Sequence, residues 1–209
     1  MSGDADLAAV GALLAEPARA KVLLALGDGR SLPASVLASE AGVAPSTASH
    51  HLARLVDAGL IVAEARGRHR YFALAGPEVG GLIEAVARVA PPQPVRSLRQ
   101  GTRAHAVRYA RHCYDHLAGR LGVAVADALA TDGDRKLDIL GVAPLDSRPC
   151  RDWTEQRDHI AGPLGTALLA RFLELGWLVR SEQTRALRLT GAGRAGFPEV
   201  LNVDLPRAG

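Results

Sequence analysis

Apolar residues recur along the first ninety positions at helical spacing, and each run closes on a recognisable stop. Leu7, Val10, Leu13 and Leu14 share one face of a helix over residues 6–14. Glu16-Pro17 starts a second helix carrying Val22, Leu23 and Leu26, which stops at Gly27-Asp28-Gly29. A third helix, over 33–41, is closed by Gly42. Ala44-Pro45 opens a fourth, with Pro45 in a first-turn position that needs no backbone donor. That helix runs to about residue 58, and Gly59 ends it. The period then shortens. Residues 60–65 and 69–74 are predicted strands around an Arg66-Gly67-Arg68 turn, and a fifth helix follows over 77–89.

Pro91-Pro92-Gln93-Pro94 cannot continue a helix, so the pattern predicts a first domain over 1–90, a linker over 91–101 and a second domain over 102–209. Helices are expected at 102–116, 121–130 and 164–175, a loop at 141–150, and a hairpin from 177–180 and 186–189. Two internal echoes run through the chain. Ala53-Arg54-Leu55-Val56-Asp57-Ala58-Gly59-Leu60-Ile61-Val62 parallels Ala170-Arg171-Phe172-Leu173-Glu174-Leu175-Gly176-Trp177-Leu178-Val179, an apolar helix that ends at Gly and feeds a strand. Asp115-His116-Leu117-Ala118-Gly119-Arg120-Leu121-Gly122 parallels Asp158-His159-Ile160-Ala161-Gly162-Pro163-Leu164-Gly165. Chance likeness between Ala-, Leu- and Gly-rich segments is the plainer account of both. The resulting expectation is a mainly α chain with small β-hairpin wings (α+β): a winged helix-turn-helix followed by a second, degenerate winged-helix-like domain.

The fourth helix has the order a DNA-reading helix needs, polar residues at its start and apolar ones behind. Ser46, Thr47, Ser49 and His50 are placed to reach base edges or phosphates, and Leu52, Leu55 and Val56 to pack. Arg54, further along, suits a phosphate. Arg66, Arg68, His69 and Arg70 form a wing able to lie along the backbone or enter the minor groove. The equivalent helix of the second domain has Leu164, Leu168 and Leu169 with just Thr166 and Arg171 as polar positions, so it is expected to pack and not to read DNA.

Ser46-Thr47-Ala48-Ser49-His50-His51-Leu52-Ala53-Arg54-Leu55-Val56-Asp57-Ala58-Gly59-Leu60-Ile61, with the wing after it, resembles the ArsR/SmtB family of dimeric repressors over about residues 5–90. The resemblance implies a homodimer paired through the first and fifth helices, a two-fold operator in double-stranded DNA, and repression relieved by an effector. It also marks two departures. Members that sense metals place a Cys-x-Cys pair before the reading helix, where this chain has Leu32-Pro33-Ala34-Ser35-Val36-Leu37. Others place Asp and His on the last helix, where residues 77–89 hold Glu78 and Glu84 but no His. Arg111 to Gly119, Cys150 to Glu155 and Gly176-Trp177-Leu178 resemble the long ArsR-like regulators of bacteria, which gives no effector.

Composition changes this picture little. Hydrophobic residues are 48% and charged residues 22%, and no apolar run reaches the span of about 20 residues a bilayer requires. The acidic start carries no signal-peptide pattern, so a cytoplasmic chain without a membrane partner is expected. Residues 1–90 hold 8 Lys and Arg against 9 Asp and Glu, and residues 91–209 hold 17 against 13. A slightly acidic DNA-binding half has to place its few arginines well. The sequence has no Gly-rich phosphate loop, no Gly-x-Ser-x-Gly and no paired Cys-x-x-Cys, so no enzyme is expected; an enzyme or a protein-interaction module remains the alternative class.

The second half holds the remaining chemistry. Cys113 and Cys150 are too few for a disulfide framework. One reading makes Cys113, His116, Cys150 and His159 a sensor for a transition metal, haem or oxidants, with His112, Cys113 and His116 as a local metal set on one helix. Another lines an organic-ligand pocket with Trp153, Trp177, Phe172 and Tyr109. The sequence favours the plainer account of each: buried thiols, capping histidines and core aromatics, with no cofactor. The effector, a small molecule or a redox agent, stays open.

Overall fold

A computed structural model describes residues 4–91, 94, 97–181 and 184–205. They form two compact units, Met1–Ile83 and Glu84–Gly209. The division falls within a helix rather than at the proline-rich segment, of which Pro92 and Gln93 lie outside the described residues.

The first unit runs α1 (Leu7–Leu14), α2 (Pro17–Leu26), β1 (Leu32–Pro33), α3 (Ala34–Ala41), α4 (Pro45–Asp57), β2 (Ile61–Arg66) and β3 (His69–Leu74) into α5 (Pro77–Val89). Asp6 caps α1 by accepting the Ala9 amide, and Glu16 caps α2 by accepting that of Ala18. The buried Arg19 donates to the Ala12 and Leu13 carbonyls, satisfying acceptors that the end of α1 leaves open. Gly42 ends α3 at φ 73°, a left-handed conformation that costs glycine nothing, and turns the chain into α4. The sheet order is β1-β3-β2, and the β2–β3 register runs from Ile61↔Leu74 to Arg66↔His69. β1, two residues pairing Leu32 with Phe72 and Pro33 with Tyr71, was too short to leave a pattern.

Val22, Leu23, Leu26, Leu37, Leu52, Leu55 and Ile61 make the core of this unit. Leu55 is fully buried. Leu55→Ala is therefore expected to destabilise the first unit by about 2–5 kcal/mol in urea unfolding. A loss below about 0.5 kcal/mol, the range of ordinary surface changes, would contradict this packing.

The second unit continues with α6 (Leu98–Tyr109), β4 (Arg111–Cys113), β5 (His116–Ala118), α7 (Arg120–Leu129), α8 (Gly133–Leu140), β6 (Arg148–Arg151), β7 (Asp158–Ala161), α9 (Gly162–Glu174), β8 (Leu178–Arg180), β9 (Leu187–Leu189) and α10 (Gly191–Leu201). Its core gathers around Phe172, with the Trp177 ring stacked 5.7 Å away and Phe197 at 4.8 Å.

Two expectations change here. The helix predicted over 102–116 stops at Tyr109, and residues 111–118 form the hairpin β4–β5. The cause is tertiary: the His112 amide donates to the Arg185 carbonyl and the Leu187 amide to that of Ala110, which holds this segment extended. His112 and His116 therefore do not share a helical face. The loop predicted over 141–150 gives way at Arg148 to β6, which pairs with β7. The predicted hairpin near the end of the chain is β8–β9, with Leu178 opposite Leu189.

Candidate functional site

α4 begins without a side-chain cap, on Ala44 and Pro45, so its first backbone amides stay open to an outside acceptor. Ala48, Leu52 and Leu55 are buried beneath the helix. Ser46, Thr47, Ser49, His50 and Arg54 are all exposed. The Ser49 hydroxyl donates to the Pro45 carbonyl at 2.9 Å, leaving its oxygen free to accept. On the wing, Arg66, Arg68, His69 and Arg70 are exposed as well. The Arg66 guanidinium bonds Glu64 at 2.7 Å and lies 5.0 Å from the centre of the Tyr71 ring. That of Arg70 lies 5.5 Å from the Phe72 ring centre. These contacts hold the guanidiniums over aromatic faces in extended positions, and an exposed ion pair such as Glu64–Arg66 is weak enough to exchange for a phosphate.

The other group of residues singled out in the sequence meets in the second unit. Two hairpins supply it. In β4–β5, Cys113 stands opposite His116; in β6–β7, Cys150 stands opposite His159. The ligand atoms of all four lie within 4.8 Å of one another. The two sulfurs are 4.0 Å apart, and the Nε2 atoms of His116 and His159 are 3.1 Å apart. Both thiols are free. Cys113, His116 and His159 are buried and Cys150 is half-buried. The hairpin tip holds Tyr114 at φ 59°, a conformation bulky residues avoid.

Electrostatics distinguish the two cysteines. The Cys113 thiol beside Cys150, with the imidazoles of His116 and His159, holds Cys150 far below the ordinary thiol range against its burial. The same sulfur contact, reinforced by burial, pushes Cys113 well up. Burial opposes charge on both imidazoles but is outweighed, by Asp115 and Cys150 at His116 and by Asp152 and Cys150 at His159, so both are raised.

Other predicted residues lie apart. His112, although buried, is one strand position from Cys113 and so faces the other side of β4; it is not one of the four. Trp177, Phe172 and Tyr109 belong to the core, whereas Trp153 sits under the Arg111 guanidinium at 4.9 Å. Trp153 thus lies apart from Trp177, Phe172 and Tyr109.

A supporting ring had no mark in the sequence. Asp152 is fully buried. It accepts from Arg111 at 3.0 Å, from the Gly119 amide at 2.7 Å, and from the amide and hydroxyl of Thr154. Burial alone would raise its carboxyl, but His159, Arg111 and the Gly119 amide hold it far below the carboxylate range. Arg111, also fully buried, lies 3.8 Å from Glu84 on α5, and Glu84 accepts from Arg185 at 2.5 Å. Asp115 bonds His116 Nδ1 at 2.9 Å and accepts from Thr166. The Asp-His echo marked Asp115 and Asp158; Asp158 instead pairs with Arg151, and it is Asp152 that reaches His159.

The chain is similar to four known proteins or families. A family model described as a helix-turn-helix domain matches residues 14–63. The uncharacterized HTH-type transcriptional regulator YdfF of Bacillus subtilis is 40% identical over an alignment covering 96% of this chain and 99% of YdfF. CmtR, an HTH-type transcriptional regulator of Mycobacterium tuberculosis, is 38% identical over 44% of this chain and 80% of its own. Among solved structures, the homodimeric winged helix-turn-helix DNA-binding domain of a possible ArsR-family regulator from Mycobacterium bovis is 31% identical, covers 41% of this chain and 86% of that one, and superposes with a TM-score of 0.36.

Proposed function

Because the chain belongs with YdfF to a family of helix-turn-helix transcriptional regulators, we propose that it acts as a dimeric repressor of the ArsR kind, held on a two-fold DNA operator by α4 and the β2–β3 wing and released by an effector bound in the second unit. The observation that carries the DNA-contact assignment is the sidedness of α4. Every polar residue of its first two turns singled out for DNA faces solvent, while Ala48, Leu52 and Leu55 anchor it from behind. Phosphate contacts come from the open amides at its start and from the wing arginines. Base discrimination rests on Ser46, Thr47, Ser49 and His50.

Two features support a dimer. α1 buries none of its residues although it carries Leu7, Val10, Leu13 and Leu14, and Leu7 is 78% exposed. α5 separately leaves Val86 and Val89 on the surface. A second copy of the chain is the partner that apolar faces on these two helices suit. Among the described residues no helix is long and apolar enough to cross a membrane. A regulator of this kind works where the chromosome is, in the bacterial cytoplasm.

Selection of duplexes from a randomised pool by the full-length protein tests this reading. The expected product is a two-fold symmetric sequence with half-sites about 10 bp apart, or a multiple of that spacing. Absence of enrichment over the starting pool would overturn it.

A further inference from the structure

The second unit contains a reciprocal arrangement. The hairpin β4–β5 leads into α7 and β6–β7 leads into α9, but α7 packs on β7 and α9 on β5. Each helix carries a glycine that backs closely onto the strand before it and faces the histidine of the opposite hairpin. A Cβ on Gly122 would lie 2.7 Å from the Leu117 carbonyl oxygen and 3.6 Å from Cβ of His159. A Cβ on Gly165 would lie 2.3 Å from the Ile160 carbonyl oxygen and 3.1 Å from Cβ of His116. The Asp-His echo of the sequence is therefore a repeated hairpin–helix piece. Its two copies set their histidines face to face, each with a cysteine on the neighbouring strand.

The protonation of that pair is constrained. His116 Nδ1 lies 2.9 Å from Asp115 Oδ1, and His159 Nδ1 lies 3.3 Å from Asp152 Oδ2 in a bent approach. The Asp115 carboxylate places the His116 proton on Nδ1, whereas His159 Nδ1 makes no hydrogen bond to Asp152. The His116 Nε2 lone pair then faces His159 Nε2 across 3.1 Å. A proton or a cation fits between the two nitrogens, and two sulfurs 4.0 Å apart complete the same small space. A tetrahedral ion with bonds of about 2.3 Å to sulfur and about 2.0–2.1 Å to nitrogen spaces its sulfurs about 3.8 Å apart and its nitrogens about 3.4 Å apart. The observed separations differ from these by a few tenths of an ångström.

We propose that Cys113, His116, Cys150 and His159 bind one borderline-soft divalent cation of the zinc class, in a closed four-ligand site. Thiolate and imidazole donors exclude hard cations such as magnesium and calcium, and four protein ligands leave no open position for catalysis. Asp115 and Asp152 are positioning residues that hold the imidazoles and raise their basicity. Beyond Asp152 the polar chain continues through Arg111 to Glu84 on α5. The site so defined gives a ligand class to the effector invoked under the proposed function, and in that respect rests on that reading. Metal content is measured without DNA, so the two fail separately.

The full chain, purified with reductant and equilibrated with Zn2+, is expected to retain one metal per chain after desalting. Co2+ in its place is expected to give a thiolate charge-transfer band and tetrahedral visible bands that Zn2+ abolishes. Cys113→Ser, Cys150→Ser and His116→Ala are expected to lose the bound metal, whereas His69→Ala on the wing retains it. Asp115→Asn, at a half-exposed carboxylate, is expected to weaken binding about 10–100-fold with the tetrahedral spectrum preserved. Three results would overturn the proposal, all read on the wild-type chain and so independent of whether any variant folds. One is no retained metal while both thiols titrate as free. Another is bound Co2+ without the thiolate band. The third is a Cys113–Cys150 disulfide whose reduction yields a chain that still binds no metal.

Discussion

Replacing Arg66, Arg68 and Arg70 together by alanine is expected to weaken binding to the selected duplex by about 10²-fold per protomer near ~0.15 M salt, and to flatten its salt dependence by about 0.9 log unit per log unit of salt for each arginine lost from a phosphate. Charge sets the size of this effect. The first 90 residues are slightly acidic, so a non-specific cationic surface is not available to hold DNA. Three of their few arginines cluster on one exposed hairpin, beside a helix whose first amides are open. Arg66 is tied to Glu64 in the free protein, but both side chains are more than half exposed, so water screens the pair and it exchanges readily for a phosphate. Far-UV circular dichroism should be unchanged, because none of the three is buried. Equal affinity of variant and wild type, in titrations at several salt concentrations, would remove the wing from the interface.

Arg111→Ala is expected to destabilise the second unit by about 3–5 kcal/mol, the range seen when one member of a buried ion pair is removed. Arg111 is fully buried, and its loss leaves the Asp152 carboxylate without its guanidinium and Glu84 with Arg185 alone. The bonds Asp152 keeps with Gly119 and Thr154 favour its ionised form, so it has no easy route to neutrality. The double variant Arg111→Met with Asp152→Asn is expected to lose less than the sum of the two single changes, since it removes both charges. Urea unfolding of the four proteins measures the difference. Strict additivity would contradict the coupling.

Legibility from sequence followed how local the determinants were. β3 could be bounded at His69 and Leu74 because the turn residues and the alternation both lie within a few positions. α4 was equally plain, since Pro45 and Gly59 punctuate it. The segment around Arg111 was not. No glycine or proline separates Tyr109 from His116, and apolar spacing carries a helical pattern straight through. Contacts with Arg185 and Ala186, more than 70 positions away, make it a hairpin. β6–β7 is hidden by Pro149 and by strands only four residues long. α10 is hidden by Gly193, Gly196 and Pro198, which interrupt a helical pattern; yet Gly193 and Gly196 are where Trp177 comes closest, and a side chain at either would collide with it.

The four ligand residues were legible one by one, and their convergence was not. The sequence favoured a packing role because four separated residues had to meet. The echo between residues 115–122 and 158–165 was the one available sign that they do, since a repeated strand–helix piece places its histidines in equivalent positions. Asp152 lies outside that echo, six residues before the position it would occupy, and left no such sign.

The central claim is that α4 and the wing hold this regulator on DNA. Its most direct test is the affinity of the full-length protein for the selected duplex and for a scrambled one, measured between about 50 and 200 mM salt. Six or more phosphate contacts from a dimer predict a fall of about 10³-fold or more across that range, with the selected duplex favoured at every salt concentration. An affinity that does not move with salt, or that is equal for the two duplexes, would contradict it.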